Sequence, residues 1–258
     1  MHSYLPSECP QLSVREAASC LRRRRLRRVY FVGDSVSYQL AFTMVCDLGL
    51  SVDAGRRVDG NGFTLKLVSL VCGVELAFMW PKPRAQRAQD LARALNSSFS
   101  GGHLLEPALW MVNAGLWHTV TTPPCEANCT EPRPTNAESN DAAYAVHLAA
   151  LLEVLVEQAR GHVIWRDTTA VHPGRMYNDA PAAVRQKFAS MSNVNIRRLN
   201  ADAAHVVARY PRIQSLNLYF AATRERAGGT APGDIRHWRA DVLHLLLQIT
   251  FLAWCEYL

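Results

Sequence analysis

Apolar residues recur along this chain in short runs separated by amphipathic stretches. Six runs have the length of a β-strand: 28–33, 64–71, 74–80, 108–113, 162–167 and 212–218. Several are continuous rather than alternating, which is typical of strands in a parallel sheet covered on both faces. Helical patterns lie between and after them: 36–48, 85–95, 141–159, 181–209 (one or two helices) and 240–256. Asp141 is the predicted cap of the third helix.

Strands that alternate with helices indicate βαβ units. We therefore expect an α/β fold: a three-layer α/β/α sandwich with a mainly parallel central sheet, flavodoxin-like in type. The 258 residues, 49% hydrophobic, suit one domain with one core. Residues 1–26 are a predicted N-terminal lead-in, and 121–140 a Pro-rich loop near a binding face. Within 64–80 two strand-like runs meet and predict a hairpin.

The net charge of +6 is concentrated in "LRRRRLRR" at 21–28. Such a run can bind nucleic acid or an anionic polymer. No aromatic residues are interleaved with it, so nucleic acid is not expected, and a solvated approach to the first strand is the simpler interpretation. The longest apolar stretch, 242–254, is too short to span a membrane and contains His and Gln.

The seven cysteines do not form the framework of a disulfide-rich scaffold. Cys125 and Cys129 could close a small ring in the Pro-rich loop. Cys46 and Cys72 could be disulfide-bonded in an oxidising compartment or could simply be buried thiols. No set of residues has the spacing of a zinc site. We expect neither a metal nor a cofactor.

Serine, asparagine, aspartate and histidine follow the ends of the predicted strands, where open α/β sheets bind ligands. Ser35 follows the first run, Asn113 follows the fourth, and Asp234 and His237 precede the last helix. A serine hydroxyl becomes a nucleophile when a histidine takes its proton and an acid orients that histidine. The pattern therefore predicts a serine nucleophile, with Asp34 stabilising the turn.

Two alternatives stay open at this point. Ser35 could simply cap the following helix, since Gly-Asp-Ser is a weak tripeptide signal. A second Asp-x-x-His pair, Asp241 and His244, lies inside the last helix, whereas the first pair lies in a loop from which a catalytic group can approach the serine. The G-x-S-x-G elbow is absent because position 37 is Ser, which disfavours an ordinary α/β-hydrolase.

The ordered motifs "FVGDS", "VNAGLWH" and "GDIRHW" resemble those of the PC-esterase branch of the SGNH (GDSL-like) hydrolase superfamily. The closer resemblance is to the trichome-birefringence-like polysaccharide O-acetyltransferases. "LVCGVELAFMWP" and "VIWRDTTAVHPG" are similar to further segments of that family, so the resemblance covers most of the chain. Ile235 and Leu116 depart from its usual Cys and His, and its N-terminal membrane anchor has no counterpart in this sequence.

The resemblance implies a role for each matching residue. Ser35 would be the nucleophile, His237 its base, Asp234 the orienting acid and Asn113 an oxyanion-hole donor, with Gly60 or Gly62 as another donor. Further residues at the predicted edge are candidates for binding substrate, although each could equally be an ordinary core or strand-end residue. They are Trp117, His118, Arg166, His172 and Trp238.

The function expected from these residues is acetyl transfer from a donor to a carbohydrate hydroxyl through a serine acyl-enzyme. One alternative is a carbohydrate or lipid esterase that uses the same triad with water as the acceptor. Another is a catalytically silent module that binds an anionic glycan or nucleic acid through the arginine run. The resemblance implies the Golgi lumen or the secretory pathway as the compartment.

Overall fold

Seven strands form one sheet in the part of the chain that the structure describes. The structure, a computed structural model, describes residues 12–47, 58–60, 63–69, 73–81, 88–100, 104, 106–119, 137–172, 188, 190–219 and 238–256. The strands are β1 (Arg28–Val32), β2 (Val58–Gly60), β3 (Phe63–Ser69), β4 (Glu75–Pro81), β5 (Ala108–Val112), β6 (Gly161–Arg166) and β7 (Ile213–Leu216).

The sheet has the order β2-β3-β4-β1-β5-β6-β7. The five strands β4-β1-β5-β6-β7 are all parallel to one another. Their order in the sheet is that of the flavodoxin-like doubly wound fold. β3 pairs antiparallel with β4, which confirms the predicted hairpin. β2, which pairs antiparallel with β3, was not predicted, because three residues are too few to produce a periodic signal.

Helices cover both faces of the sheet. The described ranges contain six helices of ten or more residues: α1 (Val14–Arg23), α2 (Ser35–Asp47), α3 (Ala88–Ser100), α4 (Ala137–Gln158), α5 (Asn193–Val207) and α6 (Ala240–Glu256). A 3₁₀ turn lies at Leu116–His118. α1, α2 and α6 pack on one face, and α3, α4 and most of α5 pack on the other. The predicted three-layer α/β/α sandwich is therefore confirmed.

The central strand β1 shows why two faces are covered. Val29 and Phe31 point into the core beneath α1, α2 and α6, whereas Tyr30 and Val32 point into the opposite core. All four are buried, as expected for a strand whose run is continuously apolar. Tyr30 also stacks on Trp110 of β5, with ring centroids 4.2 Å apart.

Three predicted segments differ in their bounds from the elements of the structure or lie partly outside the described residues. α4 begins at Ala137, one turn before the predicted cap Asp141, because Ala and Glu at 137–138 favour helix. The last four residues of the predicted Pro-rich loop, 137–140, thus belong to α4, and 121–136 lie outside the described residues. The predicted lead-in contains α1. Of the one or two helices predicted over 181–209, α5 begins after Ser192, whose side chain accepts a hydrogen bond from the Asn195 amide, and 181–187 lie outside the described residues.

A disulfide bond joins Cys20 of α1 to Cys255 of α6. The two residues are 235 positions apart in sequence, and their Cα atoms are 5.3 Å apart. The bond connects the first and last helices of the same layer, a pairing that was not predicted. Of the helices in the described ranges, none combines the length and the apolar character needed to cross a membrane.

Candidate active site

The direction of winding reverses on the two sides of β1, so the carboxyl ends of β1 and β5 form the crevice where doubly wound sheets bind ligands. The Asn113 amide donates to the Val32 carbonyl across this crevice at 2.9 Å. Gly33 lies directly beside it with a φ of +151°. A Cβ atom at Gly33 would be 2.6 Å from the Asn113 carbonyl oxygen and 2.8 Å from Ser37 Oγ. Glycine is therefore required for this close approach.

Asp34 caps the N-terminus of α2. Its Oδ1 atom accepts hydrogen bonds from the Val36 amide at 3.0 Å and the Ser37 amide at 3.2 Å. These are the N2 and N3 donors that an N-cap side chain satisfies. The interpretation of Asp34 as a turn-stabilising residue is confirmed, and the interpretation of Ser35 as the helix cap is wrong.

The Ser35 hydroxyl has no such structural role. Its Oγ atom is buried and forms no hydrogen bond within the described ranges. Buried hydroxyls are normally hydrogen-bonded, so an unsatisfied one needs an explanation. Ser35 is the first residue of α2, where the partial positive charge of the helix N-terminus favours a developing negative charge.

Arg166 lies beneath the turn and donates hydrogen bonds to side chains before and after Ser35. Its Nη2 atom donates to Ser37 Oγ at 2.8 Å and to Asp34 Oδ1 at 3.4 Å, and its Nη1 atom donates to the Asp167 carbonyl at 3.2 Å. Only 2% of each of the Arg166 and Asp34 side chains is exposed. Burial lowers the pKa of Arg166, and the two aspartates act in the opposite direction. The guanidinium thus stabilises the turn from below.

Asn113, the predicted oxyanion-hole donor, is fully buried at the end of β5. Its Nδ2 atom donates to the Arg166 carbonyl at 3.0 Å and to Thr168 Oγ1 at 3.2 Å. Both amide hydrogens are therefore used, and one would have to be exchanged to bind an oxyanion. A Cβ atom at Gly115 would be 1.8 Å from Thr168 Oγ1, so glycine is required for the packing of Thr168 beside Asn113.

The segment that follows β6 is held by asparagines of α5. The Asn200 side chain accepts from the Thr168 amide and donates to its carbonyl, at 2.9 and 2.8 Å. Asn193 makes the same pair of bonds with Val171, at 2.9 and 2.8 Å. The two asparagines are seven residues apart, so they lie on one face of the helix. This spacing was the only sequence signal for their role, and it was missed.

Asp167 is a buried carboxylate at the same edge. It accepts hydrogen bonds from the backbone amides of Leu218 and Tyr219, at 2.5 and 3.1 Å. Burial raises the pKa of Asp167 to about 6, against the opposite effects of these amides and of Arg166. The carboxylate anchors the chain after β7 and was not singled out as a site residue.

The predicted substrate-binding residues are largely part of the packed structure. The His118 side chain is 8% exposed, and its Nε2 atom accepts from the Ala88 amide at the start of α3. Its ring lies 4.6 Å from that of Tyr144. Trp117 is half-buried against the core. These contacts give His118 a structural role at the N-terminus of a helix.

Trp238 connects the last part of the chain to α2. Its amide donates to Gln39 Oε1 at 3.2 Å, and its carbonyl accepts from Gln39 Nε2 at 3.3 Å. Trp238 is 2% exposed, and its ring meets the His172 ring edge-on at 5.2 Å. Gln39 is one helical turn after Ser35, on the same side of α2.

Part of the predicted triad lies outside the described residues. These triad positions are Asp234 and His237. Of the two glycines predicted as oxyanion-hole donors, Gly62 also lies outside the described residues, and Gly60 ends β2. Asp241, from the alternative pair, is an exposed carboxylate that forms an ion pair with Arg239 at 3.7 Å. His244, its partner in sequence, is half-buried on α6 and is not hydrogen-bonded to Ser35 Oγ.

A scan against models of known protein families finds no match, and a search of curated proteins finds none either. Within the described ranges, no group of three or more His, Cys, Asp or Glu side chains could hold a metal ion. The site is therefore defined by its own geometry: a capped turn, a buried serine hydroxyl and a paired arginine beneath it.

Proposed function

We propose that this protein transfers an acetyl group to a carbohydrate hydroxyl through an acyl-enzyme on Ser35, and that it is related to the polysaccharide O-acetyltransferases its motifs resemble. The observation that carries the proposal is the division of roles within the Gly-Asp-Ser turn. Asp34 satisfies the helix amides, and the Ser35 hydroxyl remains buried without a hydrogen bond to any described residue. A hydroxyl without a structural role at the topological switch point suits a nucleophile.

The proposed first step is attack of Ser35 Oγ on the carbonyl carbon of an acetyl donor. His237 takes the hydroxyl proton, and Asp234 orients His237 and stabilises its charged form. The tetrahedral oxyanion lies at the N-terminus of α2, where the Ser35 amide and the helix dipole favour negative charge. The bond to the leaving group then breaks, and His237 returns the proton to that group.

The second step repeats this chemistry with the acceptor. A sugar hydroxyl loses its proton to His237 and attacks the acetyl carbon, and Ser35 leaves with the returned proton. Water in place of the sugar makes the same site an esterase, so the acceptor that reaches the acyl-enzyme decides between transfer and hydrolysis.

The choice of His237 over His244 is supported by the position of its neighbour. Trp238 is hydrogen-bonded in both directions to Gln39, one turn from Ser35 on α2. Trp238, the next residue in sequence, is thus fixed to the helix that begins at Ser35.

Intact-mass spectrometry after incubation with an activated acetyl ester tests the proposal. We expect the wild type to gain one acetyl group and Ser35→Ala to gain none. Ser37→Ala is a matched control, because Ser37 is on the same helix but its hydroxyl is bonded to Arg166. It should still be acetylated. A folded wild type that gains no acetyl group, or a Ser35→Ala variant that gains one, contradicts the proposal.

Adding an oligosaccharide to the acetylated protein then separates the two acceptors. Transfer predicts loss of the acetyl group from the protein together with its appearance on the sugar, whereas an esterase releases acetate at the same rate without sugar. We further propose a secretory compartment such as the Golgi lumen, supported by the disulfide between Cys20 and Cys255, since such bonds persist mainly in oxidising environments.

A further inference from the structure

The edge of the sheet opposite the candidate site carries a row of exposed arginines. They lie at the end of α1 and directly before β1, β6 and β7, and we call them the arginine edge: Arg22, Arg24, Arg25, Arg27, Arg160, Arg209 and Arg212.

Strand register places these residues along one edge of the sheet, where β5, preceded by Glu106, lies between β1 and β6. Val29 of β1 is paired with Leu109 of β5, Ala108 with Gly161 of β6, and Val163 with Ile213 of β7. The parallel strands therefore begin at the same level, and the residues that precede them share one edge. Neighbouring strands are about 4.8 Å apart, so the row extends roughly 15 Å across the sheet from β1 to β7.

Within the described residues, none of the seven members of the arginine edge forms an ion pair with a carboxylate. Arg212 donates from Nη1 to the Val156 carbonyl at 3.2 Å. Arg28, the next residue inward, differs because it pairs with Glu75 and, at 3.5 Å, with Glu106. Burial lowers the pKa of His162, and the positive charge of Arg24 lowers it further. The charge at the end of α1 is therefore felt at β6.

Arg25 carries its charge at a strained backbone position at the end of α1. α1 ends with the Leu26 amide bonded to the Leu21 carbonyl and the Arg25 amide bonded to the Arg22 carbonyl, at 3.0 and 2.9 Å. This is the Schellman arrangement, in which glycine usually occupies the left-handed position. Arg25 occupies it with a φ of 61°. A residue with a side chain is strained in this conformation.

We propose that the arginine edge binds an acidic polysaccharide and contacts the carboxylate or sulfate groups of that polymer. Guanidinium groups bind such oxyanions with two parallel hydrogen bonds, and a row of them fits repeated charges along a polymer. A nucleic acid partner is disfavoured because the disulfide indicates an oxidising compartment. An anionic membrane surface is disfavoured because the negative leaflet of cellular membranes faces the cytoplasm.

This binding surface is separate from the Ser35 site and does not depend on its chemistry. β1 alone has five residues, or about 17 Å of strand, between the two edges. The arginine edge therefore holds the polymer outside the reaction centre. Two contacts on one polymer raise the effective concentration of the acceptor at Ser35, provided that the polymer is long enough to reach both.

Affinity electrophoresis with polygalacturonate as the probe tests this inference. The variant Arg24→Gln, Arg27→Gln, Arg160→Gln is compared with the control Arg15→Gln, Arg93→Gln, Arg197→Gln, which loses the same net charge from exposed positions elsewhere. We expect the edge variant to bind at least tenfold more weakly and the control to change less than twofold. Binding should weaken with salt, and Ser35→Ala should bind like the wild type.

Several results would overturn the inference. They are no binding of the wild type to polygalacturonate at low salt, equal binding to neutral dextran, or equal weakening in the edge and control variants. Tighter binding to duplex DNA or to phosphatidylserine vesicles than to polygalacturonate would also reject it in favour of another partner. Because Ser35→Ala is used in parallel, failure of acyl transfer and failure of polymer binding remain distinguishable.

Discussion

Charged side chains have opposite environments at the two edges of the central sheet. At the carboxyl edge, Asp34 and Arg166 are almost completely buried and bonded to each other and to the turn around Ser35. At the amino edge, seven arginines are exposed and have no carboxylate partner among the described residues. One edge uses charge to fix the position of a side chain, and the other keeps its charge available for a partner.

The difference follows from solvation. A buried ion pair loses hydration and is retained only with good geometry and further hydrogen bonds, as between Arg166, Asp34 and Ser37. An exposed arginine keeps most of its hydration and contributes little to stability, but it attracts anions over a Debye length. Substitutions should therefore affect folding at the carboxyl edge and binding at the amino edge.

Arg166→Met should have the largest effect on stability. It leaves the buried Asp34 carboxylate without its cationic partner and with only the Val36 and Ser37 amides donating to it, so we expect the free energy of unfolding to fall by about 3 to 5 kcal/mol. Urea denaturation at neutral pH measures this. In the double variant Arg166→Met, Asp34→Asn the buried charge is gone and asparagine can still cap α2, so part of the loss should be recovered. A loss below about 1 kcal/mol in the single variant would show that the pair is not buried as described.

Replacing both Cys20 and Cys255 with serine should lower the free energy of unfolding by about 3 kcal/mol. The disulfide closes a loop of most of the chain and ties α1, which ends in the arginine edge, to α6. Denaturation with and without reductant provides the comparison. The double variant should match the reduced wild type and be insensitive to reductant. A wild type equally stable in both conditions would mean that these cysteines are not bonded.

Asp167 should make stability depend on pH. Its pKa in the folded state is about 6, above the usual value of 3.8, so the folded protein binds more protons between these values. Stability therefore decreases as pH rises from about 4 to about 6, by roughly 2 to 3 kcal/mol. Asp167→Asn removes this titration and can still accept the Leu218 amide at Oδ1. The free energy of unfolding of this variant, relative to that of the wild type, should increase over the same pH interval. A difference that stays constant with pH would argue against the raised pKa.

The sequence was most informative where local chemistry decides structure. Three features were predicted within a residue or two: the turn between β1 and α2, the antiparallel hairpin and the last helix. Their signals are local, because they consist of the spacing of apolar residues and of the Gly-Asp-Ser turn sequence. The bonds made by Arg166 were not predictable, since an arginine after an apolar run does not reveal that Asp34, 132 positions away, lies above it.

The pairing of Cys20 with Cys255 was missed for the same reason. It depends on α1 and α6 packing in one layer, which only the three-dimensional fold establishes. Conversely, Asp34 was predicted to stabilise the turn, whereas its role as the cap of α2 and the consequence for Ser35 became visible only with the hydrogen bonds. Local roles were predictable, and long-range partners were not.

The most direct test of the Ser35 site uses a fluorophosphonate, which labels activated serines whatever the natural acyl donor. The labelled protein is digested, and the modified residue is identified by mass spectrometry. We predict labelling at Ser35 in the wild type and in His244→Ala, and at least a hundredfold slower labelling in His237→Ala, because general-base catalysis contributes about that much. No label on the folded wild type, a label on another serine, or undiminished labelling of His237→Ala would contradict the account.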